Sequence, residues 1–526
     1  MNLLAAFLTP AAAAPFTTPA PAFPISGYFI RAGGSNALNA DKLDRIKAAG
    51  GDSVITPGTR LKPAGWAELP ADCKIGSVNC GQAATLGVRV NRVFTYSDGN
   101  QWGKKALACP RDQSIAANGK LFTILVVPAD GSGCDSSDNS YDVIVISGGT
   151  TKAASATVSL AKAATKRKMR LYAGLPIPVM RNDVPYLPDL SYQNTFAQFT
   201  DRYLRYQKAV SNVAGLAGFY LAVEMPLSAG FDSVLTTYRI QNEAIHRIMP
   251  TRAAVVSPYL DARVAAGGRT PLAGVADAVR TIALTASGVN LSIAVQDGMG
   301  TGKGGAYFGN EEGTAVDAPA STIVGEGTWG TKYLASTRDY FQAAAAGVAG
   351  TTATLWANVE GMAPATGSNA CDTNLRGQTT LARLDRQLQQ VGNARQKLIS
   401  FMWDTYYTCV GTGTPLEQQL RSGKATPVIT DSTFTAGTGA VAITGYNLYG
   451  AKVEVNWTDA AGQKLSKVVA TDYFDGSFGA RRGQNPRLQT VMANVGETNL
   501  SPDDYYTISV TNAWDAVSDA DYAKHN

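Results

Sequence analysis

The sequence predicts a (β/α)8 barrel with an insertion after strand two, followed by a small all-β module, and three observations carry that expectation. Eight short apolar runs, near residues 28, 54, 172, 220, 255, 293, 356 and 400, alternate with stretches of helical periodicity. Sequential βα units of this kind give parallel strands closed into a barrel. Two of the runs, residues 218–226 (GFYLAVEMP) and 354–364 (TLWANVEGMAP), end on a carboxylate, Glu224 and Glu360, before the chain breaks at proline or glycine. After about residue 426 the apolar period falls to two, with Gly/Asp turns between runs, as in antiparallel strands.

At 526 residues the chain exceeds the size of one hydrophobic core. The expected division is a leader over 1–22, a barrel over 23–424 containing the insertion 60–155, and a β-sandwich over 425–526. Charged residues make up only 17% of the chain, against roughly 25% in ordinary soluble proteins, a balance that favours export. The start reads MNLLAAFLTPAAAAPFTTPAPAF, with Leu3 to Leu8 as an apolar core and Ala20-Pro21-Ala22 as a small-residue cleavage site, although no Lys or Arg precedes it. A disordered Ala/Pro leader is the alternative. Residues 340–359 carry no charge, but their Gln, Gly-Thr-Thr and Asn argue against a membrane span.

Six cysteines, Cys73, Cys80, Cys109, Cys134, Cys371 and Cys409, fit an oxidising compartment and allow fifteen pairings. Cys371 and Cys409 are natural partners if their loops share a face; buried free thiols are the alternative. No CxxC pair occurs, and with only His246 and His525 available a zinc site is not expected. Net charge is +5, and beyond residues 166–170 no Lys/Arg cluster stands out, so nucleic acid is not an expected partner.

In order, SGYFIR (26–31) reads as strand one, followed by a helix from an Asn39 cap through Leu43 and Ile46 to Gly50-Gly51. DSVIT (52–56) is strand two. The insertion carries four cysteines and two β-rich runs, 121–127 and 141–146. A helix over 156–168 leads to RLYAGL (170–175). The next helix places Phe196, Phe199, Tyr203, Tyr206, Val210 and Val213 at three-four spacing, a core stripe. GFYLAVE, a helix over 233–248, AAVVS (253–257), a helix over 271–286 and LSIAVQ (291–296) follow. A helix over 333–346 precedes TLWANVE, and one carrying Leu381, Leu384, Leu388 and Val391 precedes KLISFMW (397–403).

In such a barrel the active site lies at the C-terminal ends of the strands. Glu224 then ends strand four and Glu360 strand seven. Paired carboxyl groups about 5 to 5.5 Å apart serve retaining glycosidases as acid/base and nucleophile, and about 6.5 to 9.5 Å apart serve inverting ones. The strand-four and strand-seven placement resembles that of many retaining glycosidases of this fold, with Val223 where those have Asn. A salt-bridged rim carboxylate is the structural alternative for each Glu.

Alternation puts Trp356, Asn358 and Glu360 on one face. Asp297, ending strand six, is expected to bind a sugar hydroxyl or orient a catalytic carboxylate, or to be a turn Asp before Gly298. Asp404 after strand eight carries the same ambiguity. Tyr259, Trp356, Trp403, Tyr406 and Tyr407 fall at or beyond strand ends, where aromatic platforms for sugar rings would sit. Arg31, Asp261 and Arg263 are rim charges. Residues 298–305 (GMGTGKGG) fail the phosphate-loop spacing and read instead as a flexible loop, a lid over the mouth.

The stretches GFYLAVE, VVSPYLDAR, IAVQDGMG and LWANVEGM, in that order, resemble the barrel family called domain of unknown function 4434, over most of residues 25–410. That resemblance implies a glycosidase-like barrel and names no substrate. Pro427-Val428-Ile429, residues 443–448 (ITGYNL) and Val453-Glu454-Val455 resemble immunoglobulin-like modules of the IPT/TIG type, which implies a spacer or binding appendage. The combined expectation is a secreted retaining glycoside hydrolase acting on a polysaccharide or glycoconjugate. Its chemistry calls for no metal or organic cofactor. The alternative is a non-catalytic carbohydrate-binding or cell-surface protein.

Overall fold

The computed structural model describes residues 20–33, 35–131, 133–150, 155–365, 370–373, 376–411, 413–435, 438–459, 461–496 and 505–524. The apolar run from Leu3 to Leu8 and His525 lie outside them. Eight parallel strands close into a barrel: Gly27–Phe29, Ser53–Ile55, Arg170–Gly174, Leu216–Leu221, Ala253–Val256, Leu291–Gln296, Thr354–Glu360 and Lys397–Phe401. Each strand pairs with its sequence neighbours, and the eighth closes on the first, Gly27 opposite Ile399.

Period-two alternation sorts every strand into two environments. Phe29, Ile55, Tyr172, Tyr220, Val255, Ala294, Trp356 and Ile399, one from each strand, fill the barrel interior. Their neighbours, among them Tyr28, Val54, Leu171, Phe219 and Ala254, face outward into the layer shared with the helices. Two residues further along, the interior turns polar: Ser257, Gln296 and Asn358 follow Val255, Ala294 and Trp356 on the same faces. The apolar layer is a floor, and the polar layer above it opens the mouth.

The helices stand close to their expected places, with local differences. The first is Asn36–Ala48, capped by Ser35, whose Oγ accepts from Leu38 N at 3.3 Å. Asn39 is not the cap; it is buried one turn in, where its Oδ1 accepts from Gly33 N at 2.6 Å. Ser35 is already in extended backbone and so meets the cap's geometric demand first. The aromatic stripe lies on Gln193–Val210, and Phe196, Phe199, Tyr203 and Tyr206 are buried. Strand eight stops at Phe401 rather than running to Trp403, because a π-helical turn, Trp403–Tyr407, begins there.

The insertion is a five-stranded sheet of Lys62–Pro63, Arg89–Tyr96, Gln113–Ala117, Lys120–Pro128 and Ser140–Thr150. Disulfides Cys73–Cys80 and Cys109–Cys134 tie its loops, and Cys371–Cys409 joins two barrel loops, so no described cysteine is free. Trp102 of the insertion stacks between Phe199 and Tyr206 at 5.7 and 5.0 Å, anchoring the sheet to the barrel. From Val428 the chain forms a seven-stranded antiparallel sheet with its own core, including Ile443, Val453, Val491 and Ile508. The sheet folds back so that its first and last strands meet, Ser432 Oγ donating to Asp521 Oδ2 at 2.6 Å. Among the described residues no helix is long and apolar enough to cross a membrane.

Half-buried Arg487 fastens this sheet to the barrel by donating to the carbonyls of Phe23, at 2.5 Å, and Gly50, at 2.6 Å. Removing one guanidinium leaves two carbonyls without their donors, which costs about 1–3 kcal/mol. Arg487→Ala is therefore expected to lower stability by that amount in chemical denaturation.

Candidate active site

A cavity of about 240 Å³ opens at the barrel mouth, and both strand-end carboxylates, Glu224 and Glu360, line it. Glu224 follows strand four; protein surrounds it on its flanks, yet its side chain is open to the cavity. Glu360, the last residue of strand seven, is only 4% exposed. Tyr259, Gln296, Asn358, Met362 and Phe401 complete the inner wall.

Glu360 is held by a loop that packs against its own strand. Thr301 donates its backbone N–H to Glu360 Oε2 at 2.8 Å and its hydroxyl to the same oxygen at 3.1 Å. The approach needs glycine at 300, since a Cβ there would stand 2.6 Å from Glu360 Cβ. Gly361 is equally constrained, a Cβ falling 2.1 Å from the Tyr407 ring. Residues 298–305 are thus a wall of the cavity rather than a lid: Lys303 N donates to Gly298 O at 2.7 Å, and Lys303 O accepts from Ala262 N at 2.8 Å.

Beneath Glu360 lies Asp297, fully buried and not part of the cavity lining. Its Oδ1 accepts from the N–H groups of Glu360 and Met299, both at 3.2 Å, and its Oδ2 from Gln387 Nε2 at 2.8 Å. Gln387 also donates to the Glu360 carbonyl at 3.0 Å. Asp297 and Gln387 therefore grip the backbone that carries Glu360, and Asp297 occupies the orienting position rather than one that meets a ligand.

Desolvation raises the carboxyl groups of Glu224, Glu360 and Asp297 above their ordinary range. For Glu224 the Gln296 hydrogen bond opposes this, the Glu360 charge adds to it, and the Lys303 and Arg376 charges oppose it. For Glu360 the opposing groups are Arg376, then the Thr301 donors. Arg376 and Lys303 oppose the rise at both carboxyl groups; Glu360 has two further donors from Thr301 and Glu224 one from Gln296.

Of the other expected residues, Tyr259 and Asn358 reach the cavity. Asn358 donates to Ser257 Oγ at 3.0 Å, and its Oδ1 is buried with no hydrogen-bond partner among the described residues. Trp356 does not reach it; it lies in the floor, edge-on to Tyr172 at 5.7 Å. Trp403 is in the outer core, 1% exposed and stacked on Tyr407 at 5.4 Å. Asp404 lies outside the cavity, paired with Lys42 at 2.5 Å and accepting from Arg31 N at 2.5 Å. Asp261 and Arg263 are occupied with each other through contacts of 2.8 and 2.6 Å.

Four contributors were not legible as site residues: Thr301, Lys303, Arg376 and Gln387. Lys303 stands 4.3 Å over the Tyr259 ring. Arg376 comes from the turn tied down by Cys371–Cys409, with Cys371 N donating to Arg376 O at 2.7 Å and Arg376 N to Asp372 Oδ1 at 3.2 Å. The lone Lys inside GMGTGKGG was the available signal for Lys303; Arg376 had none beyond its nearness to Cys371.

A carboxyl group raised on folding holds a proton that the unfolded chain releases, so its contribution to stability is full at acid pH and lost as pH rises through the raised value. Glu360→Gln removes that loss. Denaturation across a pH series is expected to show the stability of the variant rising relative to that of the wild type from acid toward neutral pH; a variant that falls further behind the wild type as pH rises would contradict the burial of this charge.

No family model matches the chain, and no curated protein matches it. Among solved structures it is similar to a protein designated an alpha-L-fucosidase from Bacteroides thetaiotaomicron, at 11% identity and TM-score 0.42 over 80% of this chain and 98% of that one. It is also similar to a beta-1,4-D-mannanase from Cryptopygus antarcticus, at 10% identity and TM-score 0.32 over 77% and 90% of the two chains. An endo-1,4-beta-mannanase from Eisenia fetida gives 10% identity and TM-score 0.32, over 77% and 91%.

Proposed function

We propose that the chain is a secreted retaining glycoside hydrolase in which Glu224 is the general acid/base and Glu360 the nucleophile. One observation carries this reading: the carboxylate three residues past strand four and the one ending strand seven line the same cavity at the barrel mouth, and desolvation raises both above the ordinary carboxyl range. Glu360, supported by Thr301 and Arg376, attacks the anomeric carbon while Glu224 gives its proton to the departing glycosidic oxygen. Water then enters, Glu224 takes its proton, and the oxygen displaces Glu360 from the sugar. Paired carboxyl groups supply the whole reaction, so it calls for no metal or organic cofactor.

The substrate in this reading is an extracellular or cell-envelope polysaccharide or glycoconjugate. Three disulfides and the leader-like N-terminus support export. The resemblance to the domain of unknown function 4434 family supports the placement of the carboxylates, and the C-terminal sheet fits an IPT/TIG-like spacer or binding appendage.

The test is a screen of the purified protein against bacterial and plant glycans, furanose polymers included, with Glu360→Gln and Glu224→Gln as controls. Each substitution is expected to cut turnover by about a thousandfold or more while the protein stays folded. Proton NMR of the first product should show retained anomeric configuration; inversion would remove the nucleophile assignment. Glycan binding with no turnover by the wild type would favour the non-catalytic alternative.

A further inference from the structure

Two cations converge on the cavity from different loops. Lys303 and Arg376 both line it and both are half-buried. Neither joins a salt bridge among the described residues, and each is fixed by other means, Lys303 over the Tyr259 ring and Arg376 by its disulfide-tied turn. The turn is itself braced, since Asp372 Oδ2 accepts from Tyr406 OH at 2.6 Å. The neighbouring groove shows the opposite arrangement: its arginines, Arg383 and Arg386, are each paired with a carboxylate, Asp317 and Glu311.

During the reaction proposed above, Glu224 carries a proton, so Glu360 is the one negative charge in the cavity lining and faces two cations of that lining, with Asp372 set behind Arg376 on the far side of the Tyr406 hydroxyl. A neutral sugar filling the cavity would displace water from those cations and return no counter-charge, which is costly in a confined site. An anionic substituent would supply it, with charge-assisted hydrogen bonds to a guanidinium and an ammonium. We infer that the sugar bound across the Glu pair is anionic, its carboxylate or sulfate lying between Lys303 and Arg376, so that these two residues set substrate specificity. This rests on the glycosidase reading of the same cavity.

Binding tests it without requiring turnover. Glu224→Gln, which mimics the protonated acid and keeps the Glu360 charge, would be titrated at fixed ionic strength with uronic-acid polysaccharides, each beside its carboxyl-reduced counterpart, and with sulfated ones, each beside its desulfated counterpart. At least one acidic member is expected to bind about tenfold or more tightly than its neutral match; the uronate and sulfate arms distinguish the two sources of charge. Adding Lys303→Met and Arg376→Gln should abolish the preference, so that each acidic member binds no more tightly than its neutral match, with circular dichroism checking that the variant is folded. Substituting exposed Lys104 and Lys105 by Met, which removes the same charge elsewhere, should leave the preference intact.

No preference in any pair, a preference that survives loss of both cations, or one equally lost in the Lys104/Lys105 control would overturn the inference. Those outcomes leave the hydrolase reading standing, because that reading fails on a different result: full turnover in Glu360→Gln.

Discussion

The withdrawal of Glu360 from water is the constraint on which the rest of the site depends. A strand-end carboxylate this deeply placed ionises only if the protein replaces its hydration. Thr301 donates twice to one oxygen, and Arg376 supplies the opposing charge. Each comes from a loop whose conformation is fixed independently, one by close glycine packing and the other by a disulfide. Asp297 and Gln387 secure the backbone below, so the carboxylate's donors and its position are set by separate groups.

The same constraint distinguishes the two glutamates. Glu224 accepts one hydrogen bond, from Gln296, shares the Lys303 and Arg376 charges with Glu360, and feels the charge of Glu360. The two differ in their hydrogen-bond donors, two from Thr301 on Glu360 and one from Gln296 on Glu224. This asymmetry is what a carboxyl pair needs to divide acid and nucleophile roles at one pH. It arises from which loops reach which strand, since the two side chains are chemically identical.

The barrel was legible because its strands are buried on both sides and read as apolar runs interrupted by turn residues. Glu224 and Glu360 were legible because a carboxylate ending such a run has few structural uses. Trp356 was placed on the correct face but at the wrong depth: alternation fixes direction, whereas height along the strand, about 7 Å for each two residues, separates floor from mouth. Trp403 and Asp404 were misplaced because strand eight gives way at Met402 to a π-helical turn, which rotates the side chains that follow out of the barrel's alternation. Lys303 and Arg376 come from loops, where no periodicity marks direction, and they become site residues only through contacts distant in sequence.

The proposed mechanism requires Glu360 to form a covalent bond to the sugar while Glu224 exchanges protons. Its most direct measurement is peptide mapping by mass spectrometry after incubation with a set of activated 2-deoxy-2-fluoroglycosides, neutral and uronic, which trap a glycosyl-enzyme intermediate. A single adduct on Glu360, absent from Glu360→Gln, is the predicted result. An adduct on Glu224, or turnover of these reagents with no covalent adduct, would contradict the account.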